Sequence, residues 1–87
     1  MPEISRFLGI IIRMYFRNSE HNPPHFHAYY GDFQATFCIK TLQVIKGKVH
    51  PRVKGLIIEW AEIHQQELMD NWELLKESKF NKIEPLV

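Results

Sequence analysis

Residues 25 to 39 read His25-Phe26-His27-Ala28-Tyr29-Tyr30-Gly31-Asp32-Phe33-Gln34-Ala35-Thr36-Phe37-Cys38-Ile39, and this stretch decides the fold. Two runs rich in aromatic and β-branched types flank a Gly-Asp dipeptide, where glycine supplies a positive φ, so strands over 25–30 and 33–39 joined by a tight turn are expected. Side chains alternate across a strand, which sends His25, His27 and Tyr29 to one face and Phe26, Ala28 and Tyr30 to the other. Upstream, residues 8–17 (LGIIIRMYFR) are proline-free and β-branched and read as one more strand. Their alternation sets Ile10, Ile12, Met14 and Phe16 against a wetter face of Ile11, Arg13, Tyr15 and Arg17. Residues 18–24 (NSEHNPP) concentrate turn formers and read as a loop. Residues 41–46 suggest a short fourth strand, with Gly47 near a turn.

From Pro51 the period changes. Val53, Ile57, Trp60, Ala61, His64, Leu68, Trp72 and Leu75 recur at intervals of three and four, an apolar stripe with Pro51 placed for the first helical turn. One amphipathic helix over about 51–77 is the expectation, with Gly55 and Gln65 as the places where it would break. Residues 78–87 form a tail that docks through Phe80, Ile83 and Leu86. The predicted fold class is α+β: a small antiparallel sheet of three or four strands against one long C-terminal helix, residues 1–87 forming one domain.

The chain has 87 residues, 45% hydrophobic and 24% charged, which excludes two separate cores as well as a disordered or coiled-coil composition. A single cysteine, Cys38, rules out an internal disulfide and suits a reducing compartment. The longest apolar run, Phe7 to Ile12, is far short of the ~20 residues of a membrane span. With no secretory leader expected, the localisation to expect is the bacterial cytoplasm. The net charge of +1 hides an asymmetry. Residues 1–54 carry eight Lys or Arg against three acids, a net of +5, while residues 55–87 carry three Lys against seven acids, a net of −4. That asymmetry fits either an acidic partner for the basic half or attraction between the halves within one fold.

The densest chemistry is His21, His25 and His27, three imidazoles in seven residues around a diproline. Residues two apart on a strand share a face, so His25 and His27 can converge on one phosphate or one ion, and near neutral pH an imidazole both accepts and donates a proton. A zinc-like ion would take His21, His25 and His27, or draw its third ligand from His50, His64 or Glu67. A plainer reading has these rings capping loop carbonyls and packing beside Tyr29. On the helix, His64 and Glu67 are spaced for a hydrogen bond, with Asn71 and Trp72 on neighbouring turns. If the apolar stripe packs on the sheet face that carries His25 and His27, the two groups meet. The basic residues Lys40, Lys46, Lys48, Arg52 and Lys54, with Arg13 and Arg17, suit a phosphate-contacting surface or a sheet edge guarded against aggregation. Cys38 reads as an inert buried thiol. There is no glycine-rich phosphate loop, dinucleotide fingerprint, nucleophile elbow or paired-cysteine motif, so nothing in the sequence points to a nucleotide cofactor or redox chemistry.

The opening Met1-Pro2-Glu3-Ile4-Ser5-Arg6-Phe7, Gly9 and the strand to Phe16, the block NPPHFHAYYG over 22–31, and Glu59-Trp60 with His64, Glu67, Leu68, Asn71 and Trp72 resemble the bacterial family called domain of unknown function 4160. Its members are often encoded beside a second small family, domain of unknown function 2442, an arrangement read as a two-gene toxin–antitoxin module. The resemblance implies a toxin component acting on RNA or translation, with a small cognate antitoxin-like partner. On that expectation His25, His27, His64 and Glu67 are the candidate catalytic residues, and Arg13, Lys48, Asn71 and Trp72 the candidate substrate contacts. The chemistry would be metal-independent and ribonuclease-like, with no cofactor. The competing classes are a non-enzymatic module that pairs its sheet edge with a partner or a second copy, and a metal-binding regulatory domain holding zinc.

Overall fold

A computed structural model describes residues 2–16 and 22–87. Among these residues five strands form one antiparallel sheet in chain order: β1 (Glu3–Phe7), β2 (Ile10–Arg13), β3 (His25–Tyr30), β4 (Phe33–Cys38) and β5 (Val44–Lys48). The α+β class holds, but the sheet is one strand wider than the three or four expected.

The extra strand lies at the N-terminus. Residues 8–17 are not one strand, because Leu8 and Gly9 both take positive φ (51° and 81°) and turn the chain between Phe7 and Ile10. Two central residues at positive φ make the turn that fits a twisted hairpin. A leucine there costs on the order of 1–2 kcal/mol, so nothing in its chemistry announces a turn. At the other hairpin Gly31 has φ 56°, and Tyr30 pairs with Phe33 as the Gly-Asp dipeptide implied. The fourth strand of the sequence reading shifts from 41–46 to Val44–Lys48. Leu42, at φ 60°, closes a turn in which its N–H donates to the Cys38 carbonyl at 2.8 Å, so pairing resumes only at Val44.

The helical segment also differs from the expected single rod over 51–77. α1 (Pro51–Ile63) and α2 (Gln65–Leu74) are separated at His64, whose dihedrals (φ −113°, ψ 22°) leave the helical region, and a 3₁₀ turn over Leu75–Glu77 ends the run. His50 caps α1, its Nδ1 accepting from the Arg52 N–H at 3.1 Å, and Pro51 follows where its missing N–H costs nothing.

One core lies between the sheet and the helices. Ile10, Ile12, Phe26, Ala28, Ala35 and Phe37 from the sheet meet Val53, Ile57, Trp60, Ala61 and Leu68 from the helices. Phe26 and Phe37 stack across β3 and β4 at 5.3 Å, and Trp60 lies against Phe7 and Phe26 at 5.6 and 6.0 Å. The tail docks as expected: Ile83 is buried, Phe80 and Leu86 are partly so. Its Ile83 N–H donates to the Ile4 carbonyl at 2.9 Å, and the Glu84 carbonyl accepts from Trp60 Nε1 at 2.8 Å. None of the described helices is long and apolar enough to cross a membrane.

The helix stripe therefore packs on the Phe26–Ala28 face, not on the face of His25 and His27. The condition under which His64 and Glu67 would join the imidazole pair is not met.

Candidate functional site

The sheet face turned away from the core carries the chemistry. Its register follows from the two hairpins. His27 pairs with Arg13 on one side and Thr36 on the other, and Thr36 pairs with Lys46. Adding Glu3 opposite Arg13 completes one row across all five strands: Glu3, Arg13, His27, Thr36, Lys46. The adjacent row runs Arg6, Ile11, Tyr29, Gln34, Lys48. Neighbouring strands lie about 4.8 Å apart, so Arg13 and Lys46 stand roughly 14 Å apart with His27 between them. A depression of about 200 Å³ sinks between these rows, lined by His27, Gln34, Thr36, Lys46 and Gly47.

An aromatic line crosses the same face. Tyr15 and Tyr29 share a hydrogen bond through their hydroxyls. The Tyr15 ring meets His27 edge-on at 4.6 Å, His27 meets His25 edge-on at 5.2 Å, and His25 lies on Trp72 at 5.0 Å. The two imidazoles thus share a face and touch, as their spacing required.

Their ring nitrogens are partly committed. His25 Nδ1 lies 2.8 Å from the Pro23 carbonyl. A carbonyl only accepts, so Nδ1 carries the hydrogen, and in the neutral ring the lone pair belongs to Nε2. His27 Nδ1 shares a 3.2 Å hydrogen bond with Thr36 Oγ1. The carbonyl-capping reading finds its geometry at Pro23, where one nitrogen of His25 fixes the ring.

The helical candidates are divided. Trp72, almost fully buried on α2, reaches the site through its contact with His25. His64 and Glu67 form their own pair, the imidazole donating to Oε1 at 2.5 Å, and His64 lies against Trp60 at 5.6 Å. This pair joins α1 to α2 rather than facing the open side of the sheet. Asn71 is buried and spends both ends of its amide on the tail, donating to the Asn81 carbonyl and accepting the Asn81 N–H, each at 2.8 Å. Its geometry is that of a clamp on the tail. Lys48 lies on the open face at the end of the second row, and Arg13 is the direct neighbour of His27. His21 and Arg17 lie outside the described residues, and His21 is one of the three expected zinc ligands. Among the described residues no three His, Cys, Asp or Glu side chains converge as metal ligands.

Residues 9–73 match the family model described as Domain of unknown function (DUF4160). The chain belongs to this family. The matched span of this DUF4160 chain contains all the candidate site residues, whereas β1 and the tail lie beyond it, including the opening Met1–Phe7 on which part of the resemblance rested. No curated protein matches the chain. No solved structure matches it.

Sequence reasoning passed over Thr36, Tyr15 and Tyr29 as members of the site. The signal for Thr36 was present: a two-residue turn at Gly31-Asp32 fixes the register, and counting back from Tyr30 opposite Phe33 puts His27 opposite Thr36. The same counting sets Cys38 opposite His25. Burial pushes the Cys38 thiol up, but hydrogen bonds from the Thr41 side chain and from the Thr41 and Lys40 backbone, with the Lys40 charge, outweigh it and hold the thiol below its ordinary range. The side chain is buried, as the sequence reading expected.

Proposed function

We propose that the open sheet face binds single-stranded RNA and that His25 and His27 supply acid–base chemistry there, the activity expected of a toxin component in a two-gene module. One observation carries the reading: Arg13, His27, Thr36 and Lys46 stand in one row beside Tyr15 and Tyr29, on the face the helices leave uncovered. Single-stranded nucleic acid is held by cations along its backbone and by aromatic rings that take its bases, and an open sheet presents both at once. Arg13 and Lys46 flank His27 as phosphate contacts, and the tyrosines border the base positions. The acidic half of the chain supports the same assignment, since six of its seven carboxylates belong to the helical layer while Arg13, Lys46 and Lys48 belong to the sheet.

The cleavage step needs no other reactant. His25 Nε2 takes the proton of a ribose 2′-hydroxyl, and the 2′-oxygen attacks the adjacent phosphorus. The bond to the 5′-oxygen breaks, and the protonated His27 ring gives that oxygen its proton. A 2′,3′-cyclic phosphate and a 5′-hydroxyl result, with Arg13 stabilising the charge that builds on the phosphoryl oxygens.

The test separates binding from cleavage. A fluorescein-labelled single-stranded RNA is titrated by anisotropy at several salt concentrations. In the Arg13→Ala, Lys46→Ala variant the slope of log K against log salt falls by roughly 0.7 for each cation removed. Product analysis then compares the wild type with the His25→Ala, His27→Ala variant, which should bind RNA and leave it intact. A wild type that binds no RNA, or cleavage that persists without both imidazoles, overturns the corresponding half of the proposal.

A further inference from the structure

The two edges of the sheet are finished differently. Along β1 the tail lies beside the outer edge, where Ile83 bonds to Ile4, and it is held there by Asn71 on Asn81 and Trp60 on Glu84. Among the described residues β5 pairs with β4 alone, and four of its five residues are exposed. A register shift opposite Thr36 and Phe37 leaves Ile45 as an extra residue on this strand, 48% exposed. An open strand edge offers a row of main-chain donors and acceptors to another extended segment.

We propose that β5 accepts an extended acidic segment of a partner protein as a sixth strand. The choice of occupant rests on charge. Lys46 and Lys48 pair with Thr36 and Gln34, so both project on the open face, two residues apart. A segment with carboxylates at alternate positions meets both at once, and opposite charges across neighbouring strands are the favourable pairing. A second copy is the poorer occupant. Antiparallel self-pairing of β5 sets the Lys46–Lys48 segment against its own copy, where like charges oppose. The lysines thus discourage self-association while favouring an acidic partner, and the exposed Ile45, next to Lys46, gives that partner an apolar contact beside the charges.

The experiment uses the full chain labelled with nitrogen-15 and a nonapeptide in which glutamate alternates with valine or isoleucine. A control peptide carries lysine in place of each glutamate. The acidic peptide should bind at least ~10-fold more tightly than the control and slow amide exchange at residues 44–48, without slowing it along β1. In the Lys46→Glu, Lys48→Glu variant, whose fold is checked by circular dichroism, the preference between the two peptides should reverse. Equal affinity for both peptides, or no protection at residues 44–48, overturns the proposal. So does protection there that appears without peptide and grows with protein concentration, because a second copy is then the occupant. The readout contains no RNA, so failure of the RNA reading leaves this test intact.

Discussion

Phe26 and His27 are neighbours in the chain and inhabit different environments. Phe26 is fully buried between Phe37 and Trp60, whereas His27 lies half-buried on the far side of the same sheet between Arg13 and Thr36. The contrast extends to the two whole faces. One consists of apolar side chains closed by two helices and a tail. The other consists of imidazoles, hydroxyls and cations closed by no helix. Stability is concentrated on the first face and chemistry on the second, so a single-residue step along β3 should change which property a mutation damages.

Substituting these two residues is the strongest way to break that contrast. Phe26→Ala removes a fully enclosed ring and should cost about 3–5 kcal/mol in urea or guanidinium unfolding. His27→Ala removes a half-buried ring and its 3.2 Å hydrogen bond to Thr36 and should cost about 1 kcal/mol, while abolishing RNA cleavage. Equal losses of stability would mean the open face is a second core and not a site.

Asn71 gives the next largest effect and sharpens the comparison, because the sequence pattern assigns it to substrate and the geometry assigns it to the tail. Asn71→Ala strips both amide partners from Asn81 and should cost about 2 kcal/mol. It should also loosen the tail, seen as faster proteolysis beyond residue 78 and altered Trp60 fluorescence. RNA affinity should stay unchanged. A loss of affinity with the tail still protected would return Asn71 to the site.

Lys46 belongs to both proposed surfaces, as one end of the RNA row and as part of the β5 edge. An acidic strand seated on β5 therefore neutralises a cation the RNA needs. Saturating acidic peptide should weaken RNA binding several-fold in the anisotropy titration, and the lysine-containing control should not. If RNA and acidic peptide bind together without interference, the two surfaces are independent and the row must end at Thr36.

What the sequence disclosed follows from which interactions are local. The hairpin over 25–39, the common face of His25 and His27, the apolar stripe and the docking of Ile83 all rest on alternation, period or one turn dipeptide, and all could be read from neighbouring residues. β1 could not, because its turn uses Leu8 at positive φ, a strained choice that only the pairing around it sustains. The interruption at His64 falls beside Gln65, one of the two places named for a break, but the pattern did not decide between a break and one rod. The i to i+3 spacing that predicts a His64–Glu67 bond is the same within a helix and across its break. The condition left open was which face of the sheet the stripe covers. Both faces of β3 carry aromatic rings, and the decision rests on Phe37, Ile12 and Ala28, whose alternation was legible but had to be weighed across three strands together. With the stripe on the Phe26 side, Trp72 still reaches His25, its ring 5.0 Å from the imidazole.

The smallest effect tests how sharply the open face separates its charges. Glu3 accepts from Arg6 at 2.7 Å at the outer end of the row. The hydrogen bond from the Arg6 guanidinium leads the causes that hold the Glu3 carboxyl below the usual range, with Arg13 and Lys82 adding to it. A depressed carboxylate contributes stability that is complete above its unfolded-state value and is lost as pH falls through the lower folded-state value. Glu3→Gln should therefore leave thermal stability near neutral pH almost unchanged, since an exposed pair of this kind is screened by solvent, and should remove a small part of the acid-side decline. It also removes the carboxylate that Arg6 bonds and that stands opposite Arg13, so RNA should bind slightly more tightly and with a steeper salt dependence. Stability that rises while RNA affinity falls would mean the carboxylate takes part in the site itself, and the division between a structural face and a chemical one would have to be redrawn at β1.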